Sequence, residues 1–243
     1  MTAQIFASRT SINLSCAALC LIATLIAPST FAAGDPWEKM NRGVFGFNDW
    51  ADRSLLRPVA KGYVRITPSF VQQGVSNFFD NVGTPAVALN QLLQRKPRLA
   101  LSDLGRFVVN TTVGIGGLFD VGSRVGLLEH DEDFGQTFAV WGVREGNYLV
   151  LPLLGSSSIR NATGRVFDWA VNPMRFLSDP EVYYAMALST VDLRAELLSV
   201  DQLVTGDEYL FLRDTYQQRR QFLINDGVIE DDPFADDDFD EDF

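Results

Sequence analysis

The stretch RFVVNTTVGIGGLFDV, residues 106–121, contains the sharpest change of backbone preference in the chain. It continues an apolar pattern of helical spacing that begins after Pro97, with Leu101, Leu104 and Phe107 or Val108 on one face. Residues 113–118 contain too many glycines to remain helical. A phosphate-binding loop would need a Lys-Ser/Thr pair or the full Gly-x-Gly-x-x-Gly spacing, and this stretch has neither. It therefore predicts a helix that ends in a turn, where glycines allow close backbone packing.

Helical periodicity extends from this stretch in both directions. Helices are predicted over 35–52, 70–79, 86–95, 156–169, 181–198 and 207–224. Arg57-Pro58 interrupts the first of these patterns, and Thr84-Pro85 is interpreted as the start of a separate helix. Residues 134–154 stay ambiguous between short strands and buried irregular segments. The sequence thus predicts a mainly α fold in a single domain of about 195 residues.

The acidic charge is concentrated at the C-terminus. The chain has 20 Lys and Arg against 31 Asp and Glu, a net charge of −11. Residues 230–243 contain nine carboxylates and neither Lys nor Arg, so residues 1–229 account for only −2 of that charge. Because like charges repel, we predict a disordered acidic tail over 230–243. Without a positive field, the rest of the chain is not expected to bind nucleic acid.

The N-terminus has the composition of an export signal. An apolar run follows Arg9 and ends in the small residues before Gly34, which predicts a signal peptide over 1–32 that is cleaved after Ala32. An uncleaved membrane anchor is the alternative, because the run is long enough to span a bilayer. Cys16 and Cys20 both lack the register of a lipoprotein signal. The helical domain is then 33–229.

Few residues are suited to catalysis or metal binding. The chain has a single histidine, His130, and two cysteines, and it contains no Gly-x-Ser-x-Gly sequence. His130 stands among carboxylates and is interpreted as a solvated loop residue, and Asp179 and Glu181 as solvated carboxylates. The sequence therefore predicts no enzyme activity, no cofactor and no metal.

Apolar residues are spread even through the predicted loops. Residues 114–119 and 148–154 are apolar where loops are usually polar, and the chain has 18 Phe against 6 Tyr. One 195-residue core cannot bury several such segments, so a second apolar environment is indicated. No charge-free run after the N-terminal segment reaches the length that spans a bilayer.

A series of motifs resembles the VacJ/MlaA family of outer-membrane phospholipid-transport proteins. The motifs, in order, are 35–42, Phe45, Phe47-Asn48, 56–60, 75–81, 90–94, 106–121, 133–137, 141–143 and 151–155. The resemblance covers about 35–227. The chain departs from the family pattern in its lipoprotein signal and over 155–161, where the pattern Gly-Pro-Ser-Thr-x-Arg-Asp is replaced by Gly-Ser-Ser-Ser-Ile-Arg-Asn.

The resemblance implies a ring of amphipathic helices around an amphipathic channel, on the periplasmic face of the outer membrane. Such proteins pass phospholipid misplaced in the outer leaflet to a periplasmic carrier protein, and an inner-membrane ABC-type complex completes the pathway. They often lie beside a porin trimer. Amphipathic helices that are too short to span suit a protein embedded in one leaflet. A soluble periplasmic lipid-binding or scaffold protein is the alternative.

The resemblance also selects candidate channel or motif residues. They are Asn41, Arg42, Phe45, Phe47, Asn48, Arg57, Pro58, Asn77, Phe78, Arg106, Phe107, Asn110, Gly114, Gly116, Gly117 and Asp120. Arg42 is expected to pair with either a lipid phosphate or a structural carboxylate. Arg106 and Asn110, four residues apart on a helix, are expected to line a polar passage.

The three glycines are expected to border the channel, as a flexible or a tightly packed segment. Bulky residues at Gly116 and Gly117 are then expected to impair lipid transport with little effect on the fold.

Overall fold

The computed structural model describes residues 35–202 and 206–228. The helices are α1 (Glu38–Ala51), α2 (Arg57–Ile66), α3 (Ser69–Leu93), α4 (Pro97–Thr112), α5 (Phe134–Val140), α6 (Ile159–Val171), α7 (Glu181–Glu196) and α8 (Glu208–Ile224). An antiparallel hairpin joins β1 (Tyr148–Leu151) to β2 (Gly155–Ser158). The prediction of a mainly α fold is confirmed. The predicted signal peptide, both cysteines and the acidic tail lie outside the described residues.

The predicted interruption at Arg57-Pro58 is wrong, because the helical path continues from α1 into α2. A π turn over Asp52–Leu56 connects them, and the backbone N–H of Arg57 donates to the carbonyl of Asp52, five residues back. Pro58 then lies in the first turn of α2. A proline is tolerated in a first turn, and a π turn absorbs the change in hydrogen-bond pattern that it needs.

The predicted helix start at Thr84-Pro85 is also wrong, because α3 runs through Pro85 for 25 residues. An interior proline costs roughly 3 kcal/mol, so packing must offset it. Thr84 and Ala88 are buried on either side of Pro85, and α3 packs along α4. The hydroxyl of Thr84 donates to the carbonyl of Asp80 at 3.0 Å, which satisfies the side chain inside the helix.

The ambiguous segment contains both helix and strand. Residues 134–140 form α5, which Asp133 caps by accepting from the backbone N–H of Gln136 at 2.8 Å, and residues 148–151 form β1. The helix predicted to begin at residue 156 begins at Ile159 instead, because 155–158 pair with β1. Ser158 then caps α6 by accepting from the backbone N–H of Asn161.

Most of the buried residues that the structure describes are polar or charged. Among the described residues, seven apolar residues are buried against eighteen polar or charged ones. Leu101, Leu104 and Val108 point outward, whereas the buried face of α4 contains Asp103 and Arg106. The polar groups of a buried interior need internal hydrogen bonds, and most of these side chains have at least one, although buried atoms of residues such as Gln91, Arg160 and Arg220 have no partner among the described residues.

The exposed surface is correspondingly apolar. Large exposed side chains include all four tryptophans; they are Trp37, Trp50, Trp141 and Trp169. On α7, Tyr184 is 71% exposed and Leu188 is 41% exposed, while Asp192 on the same helix is buried. None of the helices in the described ranges combines the length and apolar composition needed to cross a bilayer.

Candidate functional site

A polar cavity of about 350 Å³ lies between α3 and α7. Its lining consists of carboxylates, amides, one hydroxyl and one alanine: Gln72, Gln73, Ser76, Asn77, Asp80, Asp192, Ala195 and Glu196. A polar concavity on a molecule with many exposed apolar side chains suits an amphipathic ligand, because the two parts of such a ligand require different surroundings. We take this cavity as the candidate site.

Asp192 joins three helices at one wall of the cavity. Its side chain is only 5% exposed as a residue, and its two oxygens accept from Tyr63 on α2 at 2.8 Å and from Ser76 on α3 at 2.7 Å. Desolvation, with the hydrogen bond to Asp192, raises the pKa of Tyr63 to about 12, so Tyr63 remains a neutral donor. The two charge-assisted hydrogen bonds hold the Asp192 carboxylate in place at the cavity wall.

Asp80 lies at the same wall without such support. Within the described residues its carboxylate accepts no hydrogen bond and forms no ion pair, although the side chain is accessible from the cavity. Desolvation by the surrounding protein, followed by repulsion from Glu129 and Glu196, raises the pKa of Asp80 to about 6. A raised carboxyl pKa disfavours the ionised form in the folded protein, so Asp80 does not stabilise the fold at neutral pH.

The glycine-rich turn packs on α3, at the asparagines next to the cavity. Asn77 donates to the carbonyl of Leu118 at 3.1 Å. A Cβ added to Gly117, whose φ is +92°, would lie 2.6–2.8 Å from the side chain of Asn81. Gly116 has a φ of +70° and open space around it. The expectation that bulky residues at both glycines spare the fold is therefore wrong at Gly117.

Gly114 makes an equally close approach within the turn. A Cβ on Gly114 would lie 2.2 Å from the carbonyl oxygen of Phe119 and 2.5 Å from that of Asn110. The sequence left open whether the glycines form a flexible or a tightly packed segment. Gly114 and Gly117 are tightly packed.

Asn110 and Arg106 hold the segment that follows the turn. The side-chain oxygen of Asn110 accepts from the backbone N–H groups of Val121 and Gly122 at 2.8 and 2.7 Å, and its amide donates to Asp120. Arg106 is 6% exposed and binds Glu129 at 2.7 Å as well as Ser123 and the Leu127 carbonyl. Both residues are committed to this segment and are absent from the lining of the cavity. They position the turn, and the expectation that they line a polar passage stays a prediction.

Two asparagines of α1 bind the backbone of the hairpin. Asn41 donates to the carbonyl of Tyr148 and accepts from the N–H of Val150, at 3.1 and 2.9 Å. Asn48, two turns later, makes the same pair of bonds to Leu151 and Leu153, at 2.9 and 2.8 Å. The two amides therefore replace a third strand at the edge of β1. Their seven-residue spacing on one helix face was a signal for this role.

Arg42 pairs with structural carboxylates. Its guanidinium binds Glu38 at 2.7 Å and Asp207 at 2.8 Å, and it lies 4.5 Å from the ring centre of Tyr209. Hydrogen bonds to Asp207 and Glu38 raise the pKa of Arg42 above its usual range. The structure favours the structural carboxylate over a lipid phosphate for this residue.

The remaining candidates are dispersed. Arg57 pairs with Asp52 at 3.0 Å. Phe45 packs edge-on against Tyr209 in the small apolar core. Phe47 and Phe78 are exposed at 46% and 38%, Pro58 is exposed and Phe107 is half-buried. The sequence-based candidates thus mix structural contacts with surface residues, and only Asn77 of that set lines the cavity.

His130 is not the solvated residue that the sequence suggested. Its Nδ1 lies 3.0 Å from the carboxylate of Asp103, which is 1% exposed and also accepts from Gln91. Asp179 and Glu181 are exposed, as predicted. Within residues 35–202 and 206–228, no cluster of three or more His, Cys, Asp or Glu side chains is arranged to hold a metal ion.

Comparisons with known proteins identify the family. A family model described as MlaA lipoprotein matches residues 33–223. A solved chain from work on the structural basis for maintenance of bacterial outer membrane lipid asymmetry aligns with a TM-score of 0.71 and 32% identity, over 79% of this chain and 100% of that one. The chain belongs to the MlaA lipoprotein family.

Several MlaA relatives are similar over most of their length. The intermembrane phospholipid transport system lipoprotein MlaA of Escherichia coli is 34% identical over 201 residues, which are 80% of each chain. The protein of the same name from Haemophilus influenzae is 33% identical over 202 residues, 80% of this chain and 81% of that one. An uncharacterised protein of Rickettsia typhi is 39% identical over 195 residues, 78% of each. The resemblance to the VacJ/MlaA family and the predicted helical ring fold are thereby confirmed.

Proposed function

We propose that this chain transports phospholipid between membranes and so maintains the lipid asymmetry of the outer membrane. The observation that carries the proposal is the inverted distribution of polarity, in which a polar cavity and a largely polar interior accompany a surface with many exposed apolar side chains. Relatives in Escherichia coli and Haemophilus influenzae are named for intermembrane phospholipid transport. A phospholipid is amphipathic in the same sense, with a charged head group and apolar chains.

The exterior is suited to lipid chains and the cavity to the head group. Exposed Phe70 and Phe176, at 75% and 83%, would meet acyl chains at no cost, since phenylalanine has no hydroxyl to satisfy. Burial of such area contributes roughly 25 cal/mol per Å², so even part of the forty large apolar side chains exposed among the described residues would make a strong membrane anchor. Short amphipathic helices place such a protein in one leaflet.

The location and partners that the family resemblance implies are part of the same proposal. The chain is exported by a signal peptide over 1–32, and its domain over 33–229 is embedded at the periplasmic face of the outer membrane, with the acidic tail over 230–243 in solution. It passes lipid to a periplasmic carrier served by an inner-membrane ABC-type complex, and a porin trimer is its neighbour in the membrane. Since neither Cys16 nor Cys20 has the register for lipidation, we propose that the apolar surface anchors the chain without an acyl group.

No catalytic step belongs to this proposal. His130 is held by Asp103, and transport through a cavity requires binding and release rather than the making or breaking of bonds. His130→Gln is expected to leave lipid transport intact.

Retention in the membrane tests this proposal against a soluble periplasmic scaffold. We expect the exported chain to stay in the membrane pellet after washes with high salt and with alkaline carbonate, because its anchor is apolar. The mass of its mature N-terminus should match cleavage after Ala32 without an added lipid. Release of the chain by either wash would favour the scaffold, and a diacylglyceryl group on a cysteine would contradict the proposed mode of anchoring.

A further inference from the structure

The charge of the cavity wall has one sign. Three of its eight lining side chains are carboxylates, those of Asp80, Asp192 and Glu196. The other five are uncharged, and the lining contains no lysine, arginine or histidine. A concave site with walls of one sign concentrates the field of those charges and attracts ligands of the opposite sign.

Two arginines, one that acts on Asp80 and one on the same helix as Asp192, are held by other carboxylates. Arg106 on α4 is turned to Glu129 at 2.7 Å and Asp120 at 3.2 Å. Arg194, on the same helix as Asp192, binds Asp52 at 2.7 Å and Asp201 at 2.8 Å. Each guanidinium pairs with two carboxylates that do not line the cavity, so the charge of the cavity wall stays negative.

Two of the lining carboxylates are free to meet a ligand. Asp192 is occupied by Tyr63 and Ser76, whereas the carboxylates of Asp80 and Glu196 accept no hydrogen bond from the described part of the chain. The amide of Gln73 is likewise without a hydrogen bond to the described residues, so the lining also offers a neutral donor. Asn77 is engaged by Leu118. The wall therefore combines two free carboxylates with a free amide.

We propose that this cavity selects phospholipids whose head group carries an ammonium, in preference to phospholipids with a net negative head group. An ammonium would meet Asp80 and Glu196, and the adjoining phosphate would accept from Gln73. A head group with a phosphate and no ammonium would be repelled by the carboxylates, because it has no positive charge to pair with them. The inference rests on the proposed transport function and names the class of lipid that it carries.

The preference should depend on pH and on salt. The groups around Asp80 that affect its charge are Glu129, Glu196 and Asp192, with Arg106 opposing them, and the pKa of Asp80 is raised to about 6. Asp80 is therefore ionised above that pH and loses its charge as the pH falls through about 6. Salt at about 1 M shortens the screening length to roughly 3 Å and should weaken the same attraction.

Binding of two short-chain lipids to the full-length chain in detergent micelles tests the proposal. The probes are dihexanoyl phosphatidylethanolamine and dihexanoyl phosphatidylglycerol, which share chains and phosphate and differ in the head-group alcohol, an ethanolammonium in the first and an uncharged glycerol in the second. At neutral pH and about 0.05 M salt, we expect the ethanolamine lipid to bind about tenfold more tightly. Asp80→Asn with Glu196→Gln should reduce this ratio to near one. Glu181→Gln, an exposed carboxylate on the same helix outside the cavity, is the control and should preserve it.

The outcomes separate this proposal from the function on which it rests. Equal binding of both lipids, or tighter binding of the glycerol lipid, overturns the head-group preference and leaves transport intact. Binding of neither lipid contradicts both the preference and the proposed function. A preference that survives the double substitution would show that the carboxylates are not its source, and would also overturn the proposal.

Discussion

Gly117→Ala is expected to destabilise the protein by about 3 kcal/mol or more. The loss has two sources, because the backbone conformation disfavours a side chain and the added Cβ would clash with a buried residue. The φ of +92° disfavours any side chain, and the added Cβ would lie 2.6–2.8 Å from three atoms of Asn81. Asn81 is 5% exposed and donates to Thr111 at 2.9 Å, so it cannot simply move aside. The loss would appear as a lower melting temperature of the protein in detergent, by roughly 2–4 °C for each kcal/mol.

Gly116→Ala provides the matched control for this substitution. Gly116 has a similar φ of +70°, but nothing lies within 4 Å of the added Cβ. We expect a loss of about 1–2 kcal/mol from backbone strain alone. The difference between the two variants measures the close approach to Asn81. Equal melting temperatures for the two variants would show that the turn does not pack on α3 as described.

Asn41→Leu is expected to destabilise the protein by about 3 kcal/mol, because it leaves two buried backbone groups without partners. Asn41 is 0% exposed and binds the carbonyl of Tyr148 and the N–H of Val150. Leucine has nearly the same shape as asparagine but can neither donate nor accept. The hairpin should then separate from α1, which proteolysis within 148–155 would detect.

Asn48→Leu removes an equivalent pair of bonds at a more open position. Asn48 is half-buried, and the N–H of Leu153 that it binds is in an exposed part of the hairpin. Water can therefore replace the lost partner, and we expect a loss of about 1 kcal/mol. If Asn48→Leu were the more damaging of the two, burial would not be the source of the effect.

The sequence predicted the helices better than it predicted their boundaries and faces. Local propensity placed breaks at Pro58 and Pro85, but a π turn before Pro58 and the packing of α3 against α4 keep both helices continuous. The apolar face of 97–112 was recognised, but it points outward. Periodicity identifies a face without showing which side of it is buried, and in a protein of inverted polarity the usual assumption fails.

The candidate site was predictable only in part, for a similar reason. Motif residues such as Asn41 and Arg106 hold the fold together, whereas the cavity lining comes mainly from residues that no short motif marks. Asp192 stands in a run of mostly apolar residues and could have been noticed as a charge that needs partners. Its partners, Tyr63 and Ser76, are more than a hundred residues away in the chain, and no local pattern connects such positions.

Blocking the cavity in living cells is the decisive test of lipid transport through it. Ala195 lines the cavity on α7, and Ala187 is an exposed residue of the same helix that does not line it. The measurement is the amount of phospholipid in the outer leaflet of the outer membrane, in cells whose only copy is Ala195→Trp or Ala187→Trp at equal abundance. We expect cells with Ala195→Trp to accumulate outer-leaflet phospholipid as a deletion does, and cells with Ala187→Trp to keep normal asymmetry. Normal asymmetry with Ala195→Trp would contradict transport through this cavity.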